Sequence, residues 1–164
     1  MARLFVALWP SADTLKALAE MPRPDVPGVR WTTPERLHIT LRFLGEADES
    51  AVADALEALR LPAVTVTLGP GVERLGRAVL MIPAEGADGL AAAVIAATGH
   101  FGQPPPKRPF IGHLTVARFK RRPPPGYSPA VKTSFEAREI ALVRVEPSGA
   151  YTNVKRFALA SPRR

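Results

Sequence analysis

One phrase occurs twice in this chain: His38-Ile39-Thr40-Leu41 and His113-Leu114-Thr115-Val116, each reading His, apolar, Thr, apolar. The chain has three histidines, and two of them open this phrase. An imidazole near its ordinary pKa can accept a proton at pH 7, and a second can donate one. The Thr two residues on points to the same side of an extended strand and offers a hydroxyl to an anion. Two such arms facing each other would hold a phosphodiester between a general base and a general acid. Either His alone reads as a half-exposed strand histidine. The duplication, and the polar face made by His38, Thr40 and Arg42, favour the paired chemical reading. His100 stands outside the phrase, after a helix that ends near Thr98-Gly99, where a histidine interacts with the helix C-terminus. A metal site from His38, His100 and His113 would need ligands at helical or short-loop spacing. None is present, so no metal or cofactor is expected.

The elements that must carry these arms follow from the apolar pattern. Residues 37–44 alternate cleanly: Leu37, Ile39, Leu41 and Phe43 face one side, His38, Thr40 and Arg42 the other. Gly45 is expected to end that strand. Residues 110–119 carry the second phrase. Further strands are expected at 4–8, 64–68, 77–82, 134–146 and 151–159. Helices are expected at 11–21, capped by Ser11, at 48–59 and at 86–98. Pro-rich connectors lie at 22–27, 103–109 and 120–126. The two phrases are 75 residues apart. A shift of about that length lays strand 4–8 near 79–82 and helix 11–21 near 86–98. Each half then reads strand, helix, connector, phrase strand. This repeat predicts one domain, residues 1–164, made of two similar lobes about a pseudo-twofold axis, each giving one His and one Thr to a shared cleft.

Arg118 lies five residues after His113, so strict alternation puts it on the opposite face; a bulge would be needed to bring it to the anion. Its counterpart after His38 is Phe43, for which core is the ordinary reading and a base-stacking platform the alternative. Arg42, Phe43, Arg121 and Arg122 are the candidates for contact with the rest of a polyanionic substrate, RNA in the family resembled below.

Composition bounds the setting. Lys and Arg number 22 against 15 Asp and Glu, and Arg supplies 17 of the 22. Such a balance suits a polyanionic partner, with Arg the better bidentate phosphate ligand, or else a solvated, heat-stable surface. Basic residues flank the second phrase on both sides: Lys107 and Arg108 before it, Lys120, Arg121 and Arg122 after it. These two loops are expected at one end of the cleft, as a track for a polyanionic substrate. The chain has no Cys, so it has neither a thiolate nucleophile nor a disulfide framework. No apolar run approaches the ~20 residues of a membrane span. The first ten residues lack the pattern of a signal peptide. A cytoplasmic monomer without membrane contact is expected.

With their flanks, the two phrases read Pro34-Glu35-Arg36-Leu37-His38-Ile39-Thr40-Leu41-Arg42-Phe43-Leu44-Gly45 and Pro109-Phe110-Ile111-Gly112-His113-Leu114-Thr115-Val116-Ala117-Arg118. They resemble the paired signatures of the two-histidine phosphoesterases. The branch they look most like is the RNA 2′,3′-cyclic phosphodiesterases, also called 2′-5′ RNA ligases. The opening residues 3–8 and the closing Tyr151-Thr152-Asn153-Val154 and Phe157-Ala158-Leu159 are similar to that branch too. The resemblance implies an α+β bilobal fold in which two antiparallel sheets form a V-shaped central cleft, with helices packed outside. It implies that His38 is the proton donor to the leaving ribose oxygen and His113 the proton acceptor from water. It implies that Thr40, Thr115 and Arg118 bind the phosphate, with no metal and no cofactor. The implied partner is RNA with a 2′,3′-cyclic phosphate end, such as a tRNA fragment. Hydrolysis would leave a 2′-phosphate, and the reverse reaction with a 5′-hydroxyl RNA would make a 2′-5′ bond. The chain departs from the signatures at Gly112, where a Pro is usual. It departs again at 121–126, too Pro-rich for the usual helix, and at Glu146-Pro147-Ser148.

Two other readings compete. A non-catalytic RNA-binding module would need neither two proton carriers nor their symmetry. A phosphodiesterase for a small cyclic nucleotide, such as ADP-ribose 1″,2″-cyclic phosphate, would use the same pair in a differently shaped cleft.

Overall fold

The computed structural model describes residues 1–161. In chain order the elements are β1 (Ala2–Leu8), α1 (Ala12–Ala19), β2 (Val29–Trp31), a 3₁₀ turn (Pro34–Arg36), β3 (Ile39–Ala47) and α2 (Glu49–Glu57). There follow β4 (Val64–Leu68), β5 (Glu73–Leu75), β6 (Val79–Glu85), α3 (Asp88–Thr98), β7 (His113–Phe119), β8 (Thr133–Ala137), β9 (Glu139–Val145) and β10 (Tyr151–Ala158). The fold is α+β, as the resemblance implies.

The strands run in the order β10-β9-β1-β3-β7-β6-β4-β8, with β2 added to β7 and β5 to β6. Every pairing between these strands is antiparallel. The order divides into two four-stranded halves. Among the described residues, their only shared ladder position is Ile39 opposite Leu114. These two residues are themselves 75 apart in sequence, so the pseudo-twofold axis passes between them. The inner strands match across that axis. Ala7 pairs with Thr40 in one half, and Met81 with Thr115 in the other.

The helices lock the halves together by crossing over. α1 follows β1 of the first half but packs on β8 of the second, where Thr14 Oγ1 lies 3.3 Å from Thr133 Oγ1. α3 follows β6 of the second half and packs on β3 of the first. The caps are the ones that local chemistry favours: Ser11 Oγ accepts from Thr14 N, and Asp48 Oδ1 from Ala51 N. The main core fills the space between helices and sheet, with Leu8, Leu18, Ile39, Leu44, Leu56, Leu90 and Leu114 fully buried in it. No helix among the described residues is long and apolar enough to cross a membrane.

Four expectations change. β3 runs on through Gly45 to Ala47: Gly45 adopts φ +70° and pairs with Leu4 beside a bulge that leaves Leu44 extra. The single strand expected over 134–146 breaks at Arg138 into β8 and β9, which belong to opposite halves. The short strands β2 and β5, among prolines and glycines, have no counterpart in the sequence reading. β7 begins at His113, not at 110; no helix follows it among the described residues, as the Pro-rich 121–126 segment leads one to expect.

Candidate active site

Both phrases sit where the halves meet. The bridge between Ile39 and Leu114 brings His38 towards Thr115 and His113 towards Thr40 on the flanking positions. The two histidines are held alike. His38 Nδ1 lies 2.7 Å from Arg36 O, and His113 Nδ1 lies 2.7 Å from Ile111 O. A carbonyl can only accept, so Nδ1 carries the proton in both neutral rings and Nε2 is the basic nitrogen. His38 Nε2 is 3.0 Å from Thr40 Oγ1, which donates to it when the ring is neutral.

A one-residue bulge decides which side chains join them. In the first half Val6 pairs with Arg42 and Ala7 with Thr40, leaving Leu41 as the extra residue. In the second half Leu80 pairs with Ala117 and Met81 with Thr115, leaving Val116 extra. The two bulges are repeat equivalents, again 75 residues apart. Beyond each bulge the alternation flips. Arg118 therefore joins the face of His113 and Thr115, where it is exposed between buried Ala117 and Phe119. Phe43 moves to the face of His38 and is 40% exposed, so the core reading of Phe43 is overturned.

The same flip corrects Arg42, which is 3% exposed and points into the core beside Val6. It cannot touch RNA. Its guanidinium donates instead to the carbonyls of Phe101 at 3.0 Å and Gln103 at 2.8 Å, with a longer contact to Thr98 O. These carbonyls end α3 and begin the segment that leads to His113, so Arg42 ties β3 to the other half.

The surroundings of the two histidines differ. The His38 ring stacks on Phe5 with centroids 4.9 Å apart, and Trp9 and Tyr151 close its other sides at 5.5 and 5.6 Å. Trp9 Nε1 donates to Asn153 Oδ1 at 2.8 Å, and Arg36 lies over the Tyr151 ring at 4.3 Å. Phe5, Ala7, Ala141 and Val143 form a second apolar cluster on this face, with Trp9 and Tyr151 packed against it. Burial pulls the pKa of His38 below the usual imidazole value, since a charged ring loses hydration there. The hydrogen bond to Arg36 O opposes that shift. The charges of Arg36, His113 and Arg118 add to it, which puts all three within electrostatic reach of His38. Sequence reasoning missed this wall: its members lie at positions 5, 9 and 151, and nothing local signals their convergence.

Gly112, the departure from the signature, has a local cause. A Cβ there would lie 2.2 Å from Ala84 O, while Ala84 N donates to Gly112 O at 2.9 Å. Backbone contact with β6 leaves no room for a side chain just before His113. The basic loops do not share one end of the cleft, because Lys107 and Arg108 precede β7 while Arg121 and Arg122 follow it. Seven strand residues at about 3.3 Å each set the two ends of β7 roughly 20 Å apart. His100 is exposed and stacks on Phe101, away from both phrases.

The model of the family described as LigT like Phosphoesterase matches residues 8–69, which contain the first phrase. Escherichia coli LigT, in its complex with 3′-AMP, is 27% identical with a TM-score of 0.79, over 97% of this chain and 98% of that one. A Thermus thermophilus protein is 29% identical with a TM-score of 0.78, over 98% and 100% of the two chains. The family match covers the segment with the first phrase, and these structures share the fold along nearly the whole chain. Together they support a two-histidine phosphoesterase, an enzyme of the phosphodiesterase type. LigT itself has also been crystallised with NADP+, at 27% identity and a TM-score of 0.78 over 96% and 98% of the chains. No curated protein matches the chain. The MHV ns2 PDE domain, at 17% identity and a TM-score of 0.56, shares the fold.

Proposed function

We propose that this LigT-like phosphoesterase hydrolyses 2′,3′-cyclic phosphate ends of RNA to 2′-phosphates. The observation that carries the reading is the pairing of two His-x-Thr arms across the twofold axis, each His with Nδ1 tied to a carbonyl and Nε2 left as the nitrogen for proton transfer, which on His38 accepts from Thr40 Oγ1. His113 takes a proton from water as its oxygen bonds to phosphorus. The bond from phosphorus to the ribose 3′-oxygen breaks, and His38 supplies the proton to that oxygen. Burial weakens His38's hold on its proton, which suits a donor once the phosphate anion has brought the proton in. Thr40, Thr115 and Arg118 hold the phosphate oxygens, and the Arg fork meets the charge that builds up on them.

The aromatic wall of the first half gives the reaction a direction. Phe43 lies exposed on the same face as Phe5 and Tyr151, and offers a stacking surface for the terminal base. Arg121 and Arg122, at the far end of β7, would meet a longer RNA. The nucleotide complexes of LigT are consistent with a nucleotide in such a cleft. With a 5′-hydroxyl RNA in place of water, the same two proton transfers form a 2′-5′ bond, driven by the strained ring. Two imidazoles suffice for both transfers, so activity should persist in EDTA.

The test is incubation with 2′,3′-cyclic mononucleotides, RNAs with cyclic ends and small cyclic nucleotides, with phosphorus NMR on the products. A 2′-phosphate from RNA ends supports the reading. Turnover of small cyclic nucleotides alone would move the substrate to that class, and binding of RNA without turnover would leave a binding module.

A further inference from the structure

We propose that Arg30, seated opposite Arg118, forms a second anion subsite beside the catalytic phosphate, which takes the phosphodiester on the 5′ side of the substrate's terminal nucleotide. The proposal rests on the reading of the substrate as an RNA end. β2 pairs with β7 with Arg30 directly opposite Arg118. Residues so paired project on the same side of a sheet, so Arg30 shares the face of Arg118, Thr115 and His113. Both arginines are exposed, while Val29 and Trp31 on either side of Arg30 pack against the core.

Like charges directly opposite each other on neighbouring strands repel. The carboxylates that pair with cations among the described residues serve Arg138, Arg144, Lys155 and Arg156, and neither Arg30 nor Arg118. The fold nevertheless clamps the pair. Thr32 N donates to Val116 O at 2.9 Å, and Lys120 N to Gly28 O at 3.1 Å, so β2 is fixed to β7 at both ends. An arrangement that repels when empty and is rigidly held is preorganised for an anion.

Its place indicates which anion. β3 leaves β7 after the single bridge at Leu114, and β2 takes over the vacated edge at residues 117–119. Thr115 and Arg118 are separated by about 10 Å of strand, so Arg118 reaches the catalytic phosphate from its edge and Arg30, one strand further out, lies to that side of it. The cyclic phosphate already meets two imidazoles and two hydroxyls, and each guanidinium brings five N–H donors. With Arg118 on it as well, that one group leaves Arg30 for another anion. The next phosphate available in an RNA end is the internucleotide one.

The experiment compares a cyclic mononucleotide with a dinucleotide bearing the same cyclic end, for the wild type and Arg30→Gln. The substitution should lower kcat/KM for the dinucleotide about tenfold more than for the mononucleotide. It should also reduce the salt slope of dinucleotide binding by about 0.7. A dinucleotide with an uncharged methylphosphonate linkage should lose that extra dependence on Arg30. Equal losses on both substrates would assign Arg30 to the central phosphate and overturn the subsite, as would no loss on either. Calorimetric binding of a dinucleotide with a terminal 3′-phosphate, compared with a 3′-mononucleotide, reads the subsite without turnover. A wild type that binds the dinucleotide more tightly through Arg30 but turns over no cyclic end would refute the activity and leave the subsite standing.

Discussion

The asymmetry between His38 and His113 is written in their neighbours and not in their own phrases. Both rings make the same Nδ1 contact, but only His38 is packed among Phe5, Trp9 and Tyr151. If the pair acts as donor and acceptor, His38→Ala and His113→Ala should each reduce turnover by about 10²–10⁴-fold, with the circular dichroism spectrum unchanged. Because the two proton transfers serve one step, the double variant should lose less than the product of the single losses. The lowered pKa of His38 has a definite sign. Its protonated form disappears as pH rises through a value below the usual 6.5, so one limb of the kcat/KM profile should lie on the acid side of 6.5. Trp9→Ala admits water and should move that limb upward. Arg36→Gln removes a repelling charge and should move it the same way. A limb unmoved by both variants would mean that His38 does not set it. The histidines, threonines and their pairing are legible in the sequence because chemistry and spacing occur twice. The aromatic wall is not, since it is assembled by β1 and β10 from opposite ends of the chain.

At the scale of elements, one inserted residue outweighs the alternation around it. The bulges at Leu41 and Val116 reverse the faces beyond them, which exposes Phe43 and Arg118 and buries Arg42. A strict period-two reading of 37–44 and 113–119 places all three wrongly, and only the family resemblance points to the bulge before Arg118. The core role of Arg42 can be tested directly. Arg42→Met removes the donors that bind the carbonyls at the end of α3 and leaves these acceptors short of partners. It should cost about 3 kcal/mol and lower Tm by roughly 6–12 °C, read by thermal denaturation. Gly112→Ala acts on the other arm. Its methyl group meets Ala84 O, so β6 and the start of β7 must part. Turnover should fall at least tenfold, about 1.4 kcal/mol in the barrier, while binding to the rest of the cleft changes less. Wild-type kinetics for Gly112→Ala would show that the arm tolerates the shift. β2 escapes sequence reading because three residues between prolines and a 3₁₀ turn carry no periodicity to read. They are a strand only because β7 offers them an edge.

At the scale of the molecule, the repeat explains why a chain of this size builds a two-sided site. Each half supplies one His-x-Thr arm, and each crossing helix, α1 and α3, anchors its own half to the other. The spacing of the two phrases makes this two-lobed plan legible in the sequence. The strand order within each half is not, because β8 is the edge of one half and β9 lies between β10 and β1 in the other, although only one residue separates them in sequence. The symmetry is broken where function would require it. One half lines the cleft with aromatic rings, and the other offers Arg118 and, across from it, Arg30. A substrate with a base on one side of its phosphate and a chain on the other fits such a cleft in one orientation, which is why a single phosphate isomer is expected as product.

The central claim is that the two histidines together open a 2′,3′-cyclic phosphate. The most direct measurement is phosphorus NMR of a cyclic-ended oligonucleotide incubated in EDTA with the wild type, His38→Ala and His113→Ala. The account predicts a 2′-phosphate as the main product of the wild type and a loss of about 10²–10⁴-fold in each variant. A 3′-phosphate as the main product, or a wild-type rate in either variant, would contradict it.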